Sequence, residues 1–316
     1  MSIWKKAVSN KRISLVLSWL TGFLFAGIVI WWMGIGETLS ALRFLQLRYL
    51  GLAIFIFLSG IILRLIKWVV VLYKQNSPYD ASVIFFASKL WGSFLPARIG
   101  ELAPLAVPRY RTGRIAALIV IDRLFESYST LLAGAVGFVL LGFQDKKMIM
   151  IWIFVMVIIS IIFFAAAYSN MWHRMSLIYK ERRLLNYIFL TLEKISISLR
   201  ELGKYWILLL TLSMIATALD FVFIQILFLG LNQSVSLPLI AVAWCASVFV
   251  ALVSITPGGL GIADASYMYL YHLQGVSSES LGAFFLLNRG ISMLIPVLLF
   301  FLVLGLMQLN KNQEYI

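Results

Sequence analysis

Charge is what this sequence has least of. Only 12% of its 316 residues are Asp, Glu, Lys or Arg, against about 25% in a typical soluble domain. With 62% of residues hydrophobic and a mean hydropathy of +0.97, the composition excludes a soluble enzyme, a disordered chain and a secreted disulfide scaffold. The single cysteine, Cys245, cannot form an internal disulfide, and in its apolar run it reads as a small buried hydrophobe. Two scattered histidines, His173 and His272, make no metal constellation with it. No P-loop, GxSxG or dinucleotide fingerprint occurs, so no cofactor is expected, and any pumping must draw on an ion or lipid gradient. What remains is an all-α polytopic membrane protein, because helices satisfy their own backbone groups where no water can.

The net charge is +13, from 26 basic against 13 acidic residues. In a soluble protein that balance would suggest nucleic acid. Here cytoplasmic loops that meet anionic headgroups account for it, and no nucleic-acid partner is expected. Lys5, Lys6, Lys11 and Arg12 precede an apolar stretch over 13–33, too long for a signal-peptide core and without a clear cleavage site. It reads as an uncleaved first span with its N-terminus inside. Ten Trp and thirteen Tyr read as interface anchors.

Measured against the roughly 20 residues that cross the hydrocarbon core, the apolar runs give spans at 14–34, 50–73, 148–169, 205–229 and 278–308, and a long helix over 112–143. Arg64 and Lys67 fall near the end of the second span. Residues 37–49 form a short amphipathic piece at the interface. Residues 170–204 are amphipathic and carry seven Lys or Arg; they read either as a surface helix on anionic lipid or as a solvated basic loop. Lys74, Arg109, Arg111, Arg114, the 170–204 segment and Lys311 mark the cytoplasmic side, whereas 230–236 and 275–278 lack basic residues and fit the outside. Both termini are then cytoplasmic, in the cell membrane. Lys146–Lys147 and Arg43–Arg48 run against this scheme.

Two pairs of apolar pieces are too short to cross. Residues 80–95 stop at Pro96, and 97–108 carry Pro104 and Pro108. Residues 237–256 end at Pro257-Gly258-Gly259, and 263–273 follow. The loop charges make the first pair a re-entrant hairpin from the inside, turning at Pro96, and the second one from the outside. Broken backbone at membrane depth is tolerated only inside protein or along a cavity. In each turn Pro is followed four residues later by Gly, soon by a carboxylate, and then by Arg in a long helix, with Gly-to-Arg spacings of 23 and 28. Three spans separate the units, so the second is inverted, which is a transporter arrangement. The expected organisation is one transmembrane domain over 1–316, with repeats at about 80–143 and 237–308, Tyr110 inside and Val276 outside.

The residues of these turns resemble a known family, the transmembrane region of lysylphosphatidylglycerol synthases and related flippase-like integral membrane proteins. One block is Phe94-Leu95-Pro96-Ala97-Arg98-Ile99-Gly100-Glu101 with Asp122-Arg123 downstream. The other is Thr256-Pro257-Gly258-Gly259-Leu260-Gly261 with Asp264 and then Asn288-Arg289. The family usually has Glu where this chain has Asp264. The full-length synthases carry a separate soluble aminoacyl-transfer domain that these residues do not include, so the resemblance implies lipid translocation and not lysyl transfer.

An Asp or Arg at the centre of a bilayer helix costs about 2.5–3.5 kcal/mol on insertion scales. Lys89, Arg98, Glu101, Asp122, Arg123, Glu126, Asp220, Asp264 and Arg289 all fall in or beside apolar segments. Asp122 and Glu126 share a helix face with Arg123 beside them. One reading makes Arg98, Arg123 and Arg289 a site for a lipid phosphate, held by guanidinium forks. The backbone of Gly258, Gly259 and Gly261 would lie close to it, and a half-helix starting near Ile262 would point at it. The other reading is internal ion pairing. Glu101, Asp122, Glu126, Asp220 and Asp264 form the charge network in either case; Glu101 and Asp264 would sense protons or cap half-helices.

The expected function is a non-enzymatic lipid transporter that moves an anionic phospholipid or a polyprenyl- or sugar-linked lipid between leaflets. Its rivals are a membrane enzyme acting on a lipid phosphate, with Glu101, Asp122, Glu126 or Asp264 as acid and base, and a non-catalytic membrane partner of a synthase or glycosyltransferase. The expected partners are therefore a phosphate-bearing lipid and either a homo-oligomer or such an enzyme.

Overall fold

The computed structural model describes residues 20, 23–24, 26–28, 30–73, 76–95, 99–142, 150, 154, 157–158, 160–161, 171–254 and 256–313. Pro96 and Arg98 lie outside the described residues, as does most of the expected span at 148–169. Every long element is an α-helix: α1 (Ile35–Arg43), α2 (Leu47–Leu72), α3 (Pro78–Phe94), α4 (Gly113–Leu140), α5 (Met171–Ile178), α6 (Arg183–Glu201), α7 (Trp206–Gly230), α8 (Leu237–Val253), α9 (Ile262–Leu273) and α10 (Ser278–Gln313). Among the described residues, Leu47–Leu72, Ile188–Gly230 and Ser278–Leu306 are long and apolar enough to cross a membrane. The chain is thus an all-α polytopic membrane protein. Its outward apolar side chains, such as Ile207 and Leu298, suit a hydrocarbon solvent.

Local chemistry sets the helix boundaries. Ser77 precedes α3, and its Oγ accepts from the backbone N–H of Asp80 at 3.1 Å while Pro78 occupies the first turn. Thr112 caps α4 by accepting from Ile115 N–H at 3.2 Å. Between these helices, 99–108 does not form an α-helix. It becomes a 3-10 segment, Ile99–Ala106, interrupted by Pro104 and folded back on α3, where Ser88 Oγ donates to the Glu101 carbonyl at 2.9 Å. The basic segment at 170–204, read as a surface helix or a solvated loop, is helical over α5 and α6. The start of α4 lies against α6, with Gly113 beside the Lys194 carbonyl. The interfacial piece expected at 37–49 is α1, and α2 already begins at Leu47.

Two apolar cores hold the bundle. One joins α2, α3 and α4 through Trp68, Phe85, Leu118 and Ile121. The other joins α7 to α10 through Phe228, Tyr271 and Phe284, with the rings of Phe228 and Phe284 stacked at 4.3 Å. Both cores furnish walls to a single cavity of about 690 Å³, the first through Ile61 and Phe85 and the second through Phe223 and Tyr267.

Candidate functional site

Ionisable residues from both halves line that cavity: Arg64, Lys89, Glu101, Arg123, Glu126 and Asp220 on one side, Asp264 and Arg289 on the other. In the first half, Arg123 Nε lies 2.5 Å from Glu101 Oε2 and its Nη1 lies 2.9 Å from Glu126 Oε2. Arg64 donates from Nε to Glu126 Oε1 at 3.0 Å and spreads its two terminal nitrogens over both oxygens of Asp220. Lys89 reaches Glu126 Oε1 at 3.2 Å and Asp122 Oδ2 at 3.5 Å. Behind them Lys67, 1% exposed, donates to Asp122 Oδ1 at 2.5 Å and to Ser213 Oγ at 2.8 Å.

Chain order hides these partnerships. On α4, Glu126 lies four residues after Asp122 and three after Arg123, so it neighbours both, while Asp122 and Arg123 point about 100° apart, to Lys67 and to Glu101. Arg64 and Lys67, three apart on α2, meet them from the other side. Asp220 comes from α7, 156 residues from Arg64.

The second half has its own pair. Arg289 Nε donates to both oxygens of Asp264, at 2.8 and 3.0 Å, and its terminal nitrogens lie 3.4 Å from the Gly258 carbonyl. Asp264 is buried at the first turn of α9. Its Oδ2 accepts from the backbone N–H of Gly261 at 2.9 Å and its Oδ1 accepts from Tyr267 Oη at 2.7 Å. Asn288 Nδ2 donates to the same Tyr267 oxygen at 3.3 Å. The carboxylate thus neutralises the start of a helix as well as an arginine. The turn before α9 runs through left-handed backbone at Gly258 (φ 54°), Gly259 (φ 73°) and Gly261 (φ 80°), conformations that suit glycine. A Cβ on Gly258 would stand 2.9 Å from the Ser93 carbonyl, so the glycine turn lies against the end of α3.

Of the residues expected at a headgroup site, Arg123 and Arg289 line one cavity, with the Gly258 carbonyl against Arg289 and Gly259 and Gly261 shaping the turn. Arg98 lies outside the described residues. Glu101, Glu126, Asp220 and Asp264 line the cavity, while Asp122 sits behind it on Lys67. Sequence reasoning left Arg64, Lys67 and Tyr267 without a role; Lys89 it read only as one of the charges inside apolar segments, and Asn288 only as part of the Asn288-Arg289 block. For Arg64 and Lys67 the signal was there, because two cations three apart in an otherwise apolar span require internal acids; they were placed only near the end of the second span. Among the described residues no group of three or more His, Cys, Asp or Glu is placed to hold a metal.

This arrangement of paired arginines between broken and continuous helices can be set beside known proteins. The chain is 22% identical over 321 aligned positions to the UPF0104 membrane protein PH1989 of Pyrococcus horikoshii, covering 89% of this chain and 93% of that one. No solved structure matches. Residues 19–299 match the family described as Lysylphosphatidylglycerol synthase TM region. That match takes in the cavity and every ionisable residue named around it, and the chain belongs to this family.

Proposed function

We propose that the protein is a flippase-type lipid transporter that carries a phosphate-bearing lipid, an anionic phospholipid or a polyprenyl- or sugar-linked lipid, between the leaflets of the cell membrane. The observation that carries this reading is the cavity of about 690 Å³ in an otherwise apolar bundle, into which both arginine–carboxylate pairs face. A pocket of this size suits a small polar headgroup. Guanidinium forks recognise phosphate bidentately, and the acyl or prenyl tails would remain in the bilayer beside the exposed apolar helix faces. The short helices α3, α8 and α9, at 17, 17 and 12 residues, fit re-entrant hairpins of opposite orientation, because each is shorter than the roughly 20 residues a crossing needs. The approach of Gly258 to the Ser93 carbonyl sets the glycine turn against the end of α3. Transport is favoured over lipid-phosphate chemistry because each cavity carboxylate is held by a cation.

The test is lipid translocation in proteoliposomes with Arg123→Lys and Arg289→Lys, beside thermal unfolding of the same proteins. Lysine keeps the charge and loses the fork. Impaired translocation with near-normal stability is the expected result. Wild-type rates in both lysine variants and in both alanine variants would remove the phosphate site.

A further inference from the structure

Among the cavity carboxylates Glu126 is unlike the rest. Its Oε1 takes Arg64 Nε at 3.0 Å and Lys89 Nζ at 3.2 Å, and its Oε2 takes Arg123 Nη1 at 2.9 Å. Three cations, from α2, α3 and α4, thus converge on one carboxylate, and its side chain, 16% exposed, lines the cavity. Of the cations within ion-pair distance, Asp264 has Arg289, Glu101 has Arg123 and Asp220 has Arg64. Asp122 has Lys67 and Lys89 but does not line the cavity. A cradle of three donors around a reachable anion is the arrangement a phosphate would need.

Charge makes the second half of the argument. Among the described residues the cluster comprises Arg64, Lys67, Lys89 and Arg123 against Glu101, Asp122, Glu126 and Asp220. It is electrically balanced. The groups facing Glu126 are Arg64 and Lys67 on α2, Lys89 on α3, Asp122 and Arg123 on its own helix, Glu101 on the 3-10 segment and Asp220 on α7. Packed on α4 as well, α8 carries no charged residue, and α6 brings Lys194 to the far end at Gly113. Arg289 faces the same cavity with Asp264 already on it. A phosphodiester entering this cluster adds one negative charge to a low-dielectric site, and such an unbalanced charge is strongly disfavoured.

Resting on the lipid-phosphate reading above, we propose that Glu126 holds the place of the substrate's phosphate, and that a monoanionic phosphodiester lipid displaces it while one proton binds the released carboxylate. Arg64, Lys89 and Arg123 then hold the phosphate, Glu126 becomes a neutral carboxylic acid, and the cluster stays balanced. Release reverses both events, so lipid and proton move together and a proton gradient can drive the headgroup across.

The experiment uses the full chain in detergent with two probes, dihexanoylphosphatidylglycerol and dimethyl phosphate, titrated calorimetrically in buffers of different ionisation enthalpy so that protons are counted. The lipid should bind with about one proton taken up, and its affinity should fall about tenfold per pH unit between the ionisation of Glu126 in the free protein and its ionisation in the lipid-bound one. E126Q should bind it with no proton uptake and no such pH dependence. Lipid binding to the wild type without proton uptake overturns the coupling and leaves the phosphate site standing; this measurement decides even if E126Q does not fold. Proton uptake that persists in E126Q places the proton elsewhere and also overturns it. Dimethyl phosphate binding as tightly as the lipid assigns the cradle to free phosphodiesters and refutes the lipid assignment. Binding of neither probe removes the phosphate site and the coupling with it.

Discussion

Arg123 holds Glu101 at 2.5 Å, an arginine on a continuous helix reaching back to the carboxylate of the broken segment before it. Arg289 does the same to Asp264 at 2.8 Å. The acid-to-arginine separations are 22 and 25 residues, and both pairs face one cavity. Each pair ties a turn to a long helix, so a ligand that loosened one pair would also loosen the way that turn is held.

If the pairs hold the turns, removing one partner should be far worse than removing both. Glu101→Gln alone leaves part of the Arg123 charge without its partner, and breaking a buried pair this way costs about 3–5 kcal/mol. The double variant Glu101→Gln/Arg123→Gln should recover a large part of that loss. Thermal unfolding of the two single variants and the double one gives the coupling. Additive losses would mean that the two residues do not act as a pair.

Lys67 tests the inner wall of the network. It is almost fully buried and donates to Asp122 and Ser213. Lys67→Met should therefore destabilise by about 3–5 kcal/mol, because Asp122 stays buried with Lys89, at 3.5 Å, as its remaining cation. Adding Asp122→Leu should restore much of the stability, since a well-packed apolar pair often replaces an ion pair without loss. Denaturation midpoints for both variants in one detergent decide the matter.

The sequence carried the helical class, the glycine turn before α9 and the pairing of Arg123 and Arg289 with nearby acids, because each rests on local signals: proline and glycine at fixed spacing, and charge inside apolar runs. The partners of Asp220 and Glu126 were beyond it. Arg64 meets them from 156 and 62 residues away, and only the packing of α2 against α7 and α4 sets that proximity. A cation near the end of an apolar span also looks like a loop charge when only its position along the chain is known. The 3-10 path of Ile99–Ala106 was equally hidden, since Pro104 excludes a regular helix without saying what replaces it.

Gly258 should not tolerate a side chain. Its φ of 54° is left-handed, and an added Cβ would meet the Ser93 carbonyl at 2.9 Å. Backbone strain of this kind costs about 1–3 kcal/mol, and the clash adds to it. Gly258→Ala should lower the unfolding temperature. Gly290→Ala, where a Cβ has open space, should be close to neutral. Equal effects at the two positions would show that the turn does not depend on its conformation.

The opposed hairpins proposed above predict opposite sidedness for the loops that follow them. Tyr110 and Val276 are the natural markers, but both are buried, at 9% and 5% exposure. Their exposed neighbours Arg111 and Gln274 are the better labelling positions. Native Cys245 is buried, so it should give little background. Single cysteines at 111 and 274 should react with a membrane-impermeant maleimide from opposite faces of sealed vesicles. Labelling of both from one face would end the inverted arrangement.

Asp264 separates charge from fit. Its carboxylate meets three groups at once, the Gly261 N–H, the Tyr267 hydroxyl and Arg289, and the residue is 0% exposed. Asp264→Asn preserves shape and removes the charge, so it leaves Arg289 in the cavity wall without a counter-ion, at a cost of about 3–5 kcal/mol. Asp264→Glu preserves the charge and adds one methylene to a filled site, for which overpacking costs about 1–3 kcal/mol. Glutamate at the third helical position can still reach back to the N-cap N–H, so the start of α9 should survive. Stability should therefore run from wild type through Asp264→Glu to Asp264→Asn, and translocation should persist in the glutamate variant and fail in the asparagine one. If Asp264→Asn proved the more stable of the two, steric fit and not the pairing with Arg289 would be what Asp264 provides.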